Sequence, residues 1–574
     1  MKALSSLLAF TFLLTVSSFA QLKTPAEKSN YKNGGTMYQP LMEYIYELDA
    51  QTELMSVQKL TTTLMGRDVV MCILSDAPIY KPSDIRKTGK PVVLIANNVH
   101  GGEIAGKEAS LELMRDLTLG ELRPLLKNTV VLVIPSLNPD GAEAKRRTNE
   151  QGFDMNRDYL KMESQEINAL IVKVINEWEP DIHIDTHHGG SDPYTLTYQT
   201  CMNPAGDAEL IRYGNEKVLP KVREKLRSED YDGFWYSGGR WDGKEVKWTP
   251  TSVEPRKQHV YSALSNMLGF LFESPRNNYR LKNNGTELVA NPKEEILKHK
   301  VRGEYLGLLT MVEYAAENGH EIKKLITDAK MRAINLGNDD ADNDQIPLVY
   351  EQVKKFDEEL WIRKKNGKRG EFEKVMGGVY TQFTPTKTTT RPWAYVMPPQ
   401  MAYLIPLLAK HDISVKKILK PSELNVEAYT VNEIKDTQYF QGHYLKEVSV
   451  DKKEETINLP VGSFLIPTGQ PKSNLLCYLM EPETNDNLIT WGYLDNFIRI
   501  IGDQSERIKR YQDRIKHNKE LSRKERKAAL KRLEDQLAKA KIQEYPIYRL
   551  MKRTAIESSI VEADFNTFEN QYIK

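Results

Sequence analysis

Four short strand-like runs, separated by helical sequence, constrain the fold of this chain more than any other feature. Pro91-Val92-Val93-Leu94-Ile95-Ala96 and Thr129-Val130-Val131-Leu132-Val133-Ile134-Pro135 are almost unbroken apolar runs. Such runs mark strands buried on both faces. Asp181-Ile182-His183-Ile184-Asp185-Thr186-His187 and Gly269-Phe270-Leu271-Phe272-Glu273 supply two more. Between them, Ala109, Leu113, Met114 and Leu117 recur at helical spacing. Leu170, Ile171, Val174, Ile175 and Trp178 likewise mark one face of a helix over 167–178. Strands alternating with helices predict an α/β fold to about residue 320, with a mixed, largely parallel central sheet flanked by helices. Ligand sites in such folds lie beyond the carboxyl ends of the strands.

The 574 residues leave room for about three domains. At the start, Lys2, an apolar run over 3–16 and Ser18-Phe19-Ala20 have the n-region, h-region and small-residue pattern of a secretory signal peptide. The run is shorter than the ~20 apolar residues a membrane span needs, and no later stretch is long and apolar enough. Residues 1–20 are therefore expected to be cleaved, leaving an exported chain, periplasmic or extracellular, without an integral membrane segment. The α/β domain is expected over 21–325. From about 345 the texture changes, and Arg391-Pro392-Trp393-Ala394-Tyr395-Val396 and Gly462-Ser463-Phe464-Leu465-Ile466-Pro467 read as short strands bounded by prolines. A smaller β-rich region is expected over 326–574. Within it, 503–543 carries 14 Lys/Arg and seven Asp/Glu with two narrow apolar stripes. Ser522 and Glu525 have capping-box spacing, so a charged helical hairpin is expected there, its solvated face the simplest reading.

Composition narrows the class. Lys and Arg total 80 against 79 Asp and Glu, so nothing points to nucleic acid. Three cysteines, Cys72, Cys201 and Cys477, lie far apart, which excludes a disulfide framework and a cysteine-based zinc ribbon.

The polar residues at the strand ends carry the chemistry. His100-Gly101-Gly102-Glu103 follows the first run and places an imidazole and a carboxylate three residues apart on a turn that opens a helix. Mixed nitrogen and oxygen donors suit zinc, and a third ligand is needed. His183, Asp185 and His187 share one face on a period of two. His187, nearest the strand end, is favoured over His183 as the third ligand, and His188 reads as a supporting residue. Glu273, closing an apolar strand, is placed to take a proton from a water at the metal. Asn138-Pro139-Asp140-Gly141 forms a turn after the second strand, and Arg146-Arg147 precede Gly152-Phe153-Asp154-Met155-Asn156-Arg157. An Asn-Arg pair can hold a carboxylate, and a separate Arg can stabilise an oxyanion.

In this order the motifs resemble the zinc carboxypeptidases of the funnelin, carboxypeptidase A-like type, over roughly residues 35–320. The region 391–495 is similar to the β-rich C-terminal extension of larger secreted bacterial members. The resemblance implies one Zn2+ per chain, bound by His100, Glu103 and His187, with Glu273 as general base and acid. It implies Asn156 and Arg157 on the substrate's C-terminal carboxylate and Arg147 on the oxyanion, with Arg146 as its competitor. The family's flexible-loop tyrosine is matched only by Tyr261, twelve residues before Glu273. Asp158 follows Asn156-Arg157 where many digestive members have Asn and an aromatic residue, and 233–258 matches no recognised pattern. The implied activity is hydrolysis of the C-terminal peptide bond of peptides or proteins. A cell-wall peptide hydrolase of the same family and a non-catalytic peptide-binding protein are the alternatives.

Overall fold

The four expected strands lie side by side at the centre of an eight-stranded sheet in the computed structural model. The structure describes residues 22–561 apart from 251–252, 340–343, 369, 499–504, 519 and 541–542, so the expected signal peptide lies outside the described residues. The sheet contains β1 (Met55–Thr62), β2 (Asp68–Leu74), β3 (Val92–Asn97), β4 (Val130–Ile134), β5 (Ile182–His187), β6 (Leu196–Thr200), β7 (Gly233–Trp235) and β10 (Leu268–Glu273). The strand order is β1-β2-β4-β3-β5-β10-β6-β7. β4, β3, β5 and β10 run parallel, while β2 and β6 join that block antiparallel. The expected α/β architecture is therefore present.

Every residue of the four central strands is buried, which is why two of them read as apolar runs. Alternate side chains divide between two cores, as the pleat requires. Val93 and Ile95 pack with Leu113 and Met114 of the helix Ala105–Thr118 and with Leu308 of the helix Ile296–Asn338. Val92 and Leu94 pack on the opposite face with Leu170 and Val174. β6 escaped the sequence reading because Leu196-Thr197-Tyr198-Gln199-Thr200 is largely polar although wholly buried. Its hydroxyls are satisfied locally, Thr197 donating to the Glu273 carbonyl at 3.2 Å and Thr200 to that of Gly269 at 2.8 Å.

The C-terminal half is built onto this frame. The helix Ile296–Asn338 is 43 residues long and is kinked at Asn318, where φ is −114° and ψ 20°. Near its end a Cβ on Gly337 would sit 2.2 Å from the Thr468 carbonyl carbon, so only glycine admits that contact. Ile346, Tyr395, Leu476 and Ile547 share a core cluster with Val92 and Leu94 of the central sheet. β8 (Gly239–Asp242) and β9 (Glu245–Trp248) form a four-stranded sheet with the strands Phe356–Arg363 and Phe372–Val379. β9 runs parallel to the latter, so part of the pattern-free segment 233–258 takes its order from the C-terminal half.

The two proline-bounded runs form the strands Ala394–Met397 and Phe464–Pro467, paired antiparallel. A long hairpin, Ser422–Phe440 with His443–Leu459, had no clear sequence signature because most of its distal residues are exposed or half-buried. Its tip, Gln441-Gly442, has φ of 51° and 83°, the left-handed pair a two-residue hairpin turn needs. Helices span Ser505–His517 and Arg523–Ala540. Ser522 and Glu525 cap the second reciprocally, and Arg526 Nη1 donates to the Lys516 carbonyl at 3.1 Å. The three cysteines are free and buried.

Candidate metal centre and active site

The register of adjacent strands assembles the site. Glu273 on β10 is the Cα partner of His187 on β5, so two side chains distant in sequence end side by side. Beyond β3, Asn98 adopts φ of 58°. Its Nδ2 donates to the carbonyls of His100, Gly101 and Glu103 at 2.9, 3.1 and 2.9 Å. This one amide shapes the turn that presents His100 and Glu103. A Cβ on Gly101 would lie 2.0 Å from the Gly141 carbonyl carbon, so the Asn138-Pro139-Asp140-Gly141 turn packs directly beneath. Asn138 caps that turn through the Gly141 amide at 2.8 Å and donates to the Val99 carbonyl at 3.1 Å. Its role is to support the His-Glu turn.

His100 Nδ1, His187 Nδ1 and Glu103 Oε2 converge with separations of 2.8, 2.9 and 3.0 Å. They form a potential metal-holding group among the described residues. The far nitrogen of each ring faces a carboxylate, His100 Nε2 lying 2.9 Å from Asp154 Oδ1 and His187 Nε2 2.6 Å from Asp185 Oδ2. Such outer carboxylates orient metal-binding imidazoles. Burial alone would lower His187, yet Asp185 and Glu103 hold it well above its ordinary pKa. Burial would raise Glu103, yet hydrogen bonds with His100 and His187 hold it well below. The triangle is thus organised to hold positive charge. Two imidazoles and one carboxylate are a donor set that fits zinc, with room for a further ligand in catalytic sites.

A pocket of about 100 Å³ opens on this triangle. Burial pushes Glu273 up to about 8 against the opposing pull of His187, with Glu103 and Asp185 adding to the rise. Arg147 reaches Asp154 Oδ2 at 2.9 Å and Glu103 Oε1 at 3.3 Å and lines the pocket. Asn156 Nδ2 lies 2.9 Å from His187 Nε2, and its Oδ1 accepts from the Gln258 amide at 3.0 Å. Arg157 Nη1 donates to the Asn156 carbonyl at 2.6 Å. Asn156 and Arg157 both line the pocket.

Two expectations need correction. Arg146 turns away, bonding the Thr148 and Asn149 carbonyls and Glu150, so of the two adjacent arginines it is Arg147 that faces the pocket. Tyr261 is fully buried in the helix Gln258–Leu264, its hydroxyl 3.0 Å from His411 Nδ1, and cannot meet a substrate. The tyrosine lining the pocket is Tyr236. Its phenol is held well above its ordinary pKa by the Glu273 carboxylate and by burial. Lys257 also lines the pocket and donates to Glu254 Oε2 at 2.8 Å. Both lie in 233–258, where Trp235-Tyr236 before Gly238-Gly239 was the available signal. Asp158 is buried on Ser164 and Lys161, so it leaves the pocket unchanged. His183 bonds Ser262 at 3.0 Å deeper in the sheet. His188 accepts from the Ala105 amide at 2.9 Å, a supporting role.

The zinc carboxypeptidase family model matches residues 41–199, a span that includes His100, Glu103 and His187 and stops short of Tyr236 and Glu273. Carboxypeptidase 2 of Trichophyton rubrum is 23% identical over 70% of this chain and 74% of its own length. Carboxypeptidase 2 of Trichophyton tonsurans is 25% identical over 73% and 76%. Among solved structures, a metallo-carboxypeptidase from Pseudomonas aeruginosa shares 19% identity, covering 49% of this chain and 70% of that one at a TM-score of 0.37. The two curated relatives are fungal, so they do not support a specifically bacterial type of C-terminal region.

Proposed function

We propose that this chain is a zinc metallopeptidase of the zinc carboxypeptidase family, with a region beyond the catalytic core, and removes the C-terminal residue of peptides or proteins. One observation carries the reading. The His100–Glu103–His187 triangle, Glu273 level with His187, and Arg147, Asn156 and Arg157 all face one small pocket.

Zinc held by His100, Glu103 and His187 would supply Lewis acidity toward the scissile carbonyl and make water more acidic. Asn156 and Arg157 hold the substrate's terminal carboxylate, the guanidinium through paired N–H donors. That anchor sets which peptide bond reaches Glu273. Positive charge held by the His100–Glu103–His187 triangle favours the ionised form of Glu273, and that carboxylate accepts a proton from the attacking water and returns it to the amine nitrogen as the C–N bond breaks. Arg147, already beside the pocket, directs its N–H groups to the charge that develops on the carbonyl oxygen. Tyr236, kept neutral by its surroundings, retains a phenol proton to donate to the bound peptide. The pattern of residues 1–20 supports export, which would bring the enzyme to peptides outside the cytoplasm. Among the described residues, no helix is long and apolar enough to cross a membrane.

The test is zinc content and peptide hydrolysis of wild type beside Glu273→Gln, with peptides varied at the last residue. The variant should retain zinc and lose at least about 10²-fold in kcat, the lower end of a general base's contribution. Undiminished turnover by Glu273→Gln, or a wild type that cleaves internal bonds in preference to the last, would refute the reading.

A further inference from the structure

A second and larger cavity, about 960 Å³, adjoins the catalytic pocket. We infer that it binds an acidic peptide segment upstream of the scissile bond, an assignment that rests on the carboxypeptidase reading above. Three chain segments cross from one space to the other, each contributing a residue to both. Gly189, Tyr236 and Glu273 line the catalytic pocket, while Gly190, Gly239 and Arg276, a few residues on, line the larger cavity. The two spaces therefore share their walls. A Cβ on Gly189 would lie 2.4 Å from Glu273 Oε2, so glycine there keeps the passage beside the general base open. The catalytic pocket, at about 100 Å³, has room for little beyond the terminal residue. The rest of a bound peptide must leave it, and the segments Gly189–Gly190, Tyr236–Gly239 and Glu273–Arg276 lead from its wall to that of the larger cavity.

The charge of the cavity selects what it would take. Arg276, Lys293 and Arg363 line it, and none of the three makes an ion pair or side-chain hydrogen bond among the described residues. The one acidic lining residue, Asp192, accepts from the Asn277 amide at 2.7 Å and Asn278 Nδ2 at 3.2 Å. Its charge is directed into the wall. A concave surface with cations of one sign focuses attraction on anionic ligands. Trp361 adds an aromatic surface, its ring held by an Nε1 bond to the Gly285 carbonyl at 2.9 Å. Trp361 and Arg363 come from the strand Phe356–Arg363, so the C-terminal half supplies one wall of this subsite.

The experiment uses the full-length chain and two labelled peptides with the same last two residues, preceded by four glutamates in one and four glutamines in the other. Wild type should show a KM about tenfold lower for the Glu peptide, as expected when several weak, partly exposed ion pairs act together. The advantage should shrink as salt rises. Arg276→Glu with Arg363→Glu should abolish it, leaving kcat and the KM for a blocked dipeptide unchanged. Fluorescence anisotropy on the same peptides separates this idea from the reading beneath it. If neither peptide is cleaved, but the Glu peptide binds more tightly and the double variant removes that preference, the carboxypeptidase reading falls and the acidic-peptide site stands. Equal binding of the two peptides by wild type, or a preference that survives the double variant, overturns the site. A stronger preference for a neutral sugar-bearing peptide overturns it as well.

Discussion

His183 and His187 sit on one face of β5, yet only the residue at the strand's end meets His100 and Glu103. His183 is turned to Ser262, and burial lowers it to about 3, which keeps it neutral in the interior. His187→Ala should therefore release zinc, whereas His183→Ala should retain stoichiometric metal, as measured by elemental analysis after dialysis. Zinc retained by the first variant would remove His187 from the ligand set. Behind Glu273, Glu304 is fully buried with Oε1 accepting from Ser274 Oγ at 2.9 Å. Burial pushes it up to about 8 against that hydrogen bond, with Glu273 adding to the rise. Because its folded pKa exceeds its ordinary value, 4.5, its contribution to stability is full below that value and is lost as pH rises through about 8. Glu304→Gln keeps an acceptor for Ser274 and cannot ionise. Its Tm relative to wild type should therefore increase from pH 5 to pH 9, and a difference that is the same at both would discount this buried carboxyl.

The turn after β3 works as an element because another turn lies beneath it. Gly101 packs against the backbone of the Asn138-Pro139-Asp140-Gly141 turn, which in turn is tied to the loop between β1 and β2. Asp140 accepts from Thr63 Oγ1 at 2.9 Å and pairs with Arg67 at 2.7 Å. Gly101→Ala should push the two turns apart, costing about 2 kcal/mol or more, as overpacking does, and displacing both His100 and Glu103. Calorimetry and zinc titration should show a lower Tm together with weaker zinc binding. Wild-type values for both would mean that the turns yield without cost. The motif spacing made this turn visible as a ligand loop, but the contact that restricts position 101 to glycine joins residues forty apart and has no local signature.

At the scale of the whole molecule, the two halves share a core and an active-site neighbourhood. Ile346, Tyr395 and Leu476 complete the cluster around Val92 and Leu94. The tip of the long hairpin reaches back to the segment that carries Asn156 and Arg157, where the Asp154 amide donates to Gln441 Oε1 at 2.8 Å and His443 Nε2 lies 2.7 Å from Glu163 Oε1. Removing residues 345–574 would expose one face of that core and release the segment that carries Tyr236. The truncated chain should lose cooperative unfolding by circular dichroism. Cooperative melting near the full chain's Tm would show that the first half stands alone.

The central sheet and the candidate metal-holding residues were legible in the sequence. Strands buried on both faces need apolar runs, and metal ligands at strand ends need particular residue types at short spacings, so both leave local traces. Glu273 was legible for the same reason, as a charge closing an otherwise apolar strand. Only the tertiary structure distinguished Tyr236 from Tyr261 and Arg147 from Arg146. Each pair has the same chemistry, and the members differ only in where their side chains point. The walls of the larger cavity were equally hidden, because Trp361 and Arg363 reach it through pairing between the strand Phe356–Arg363, its partner Phe372–Val379 and β9. Contacts between segments a hundred residues apart arise when a shared core forms, and no local periodicity encodes them.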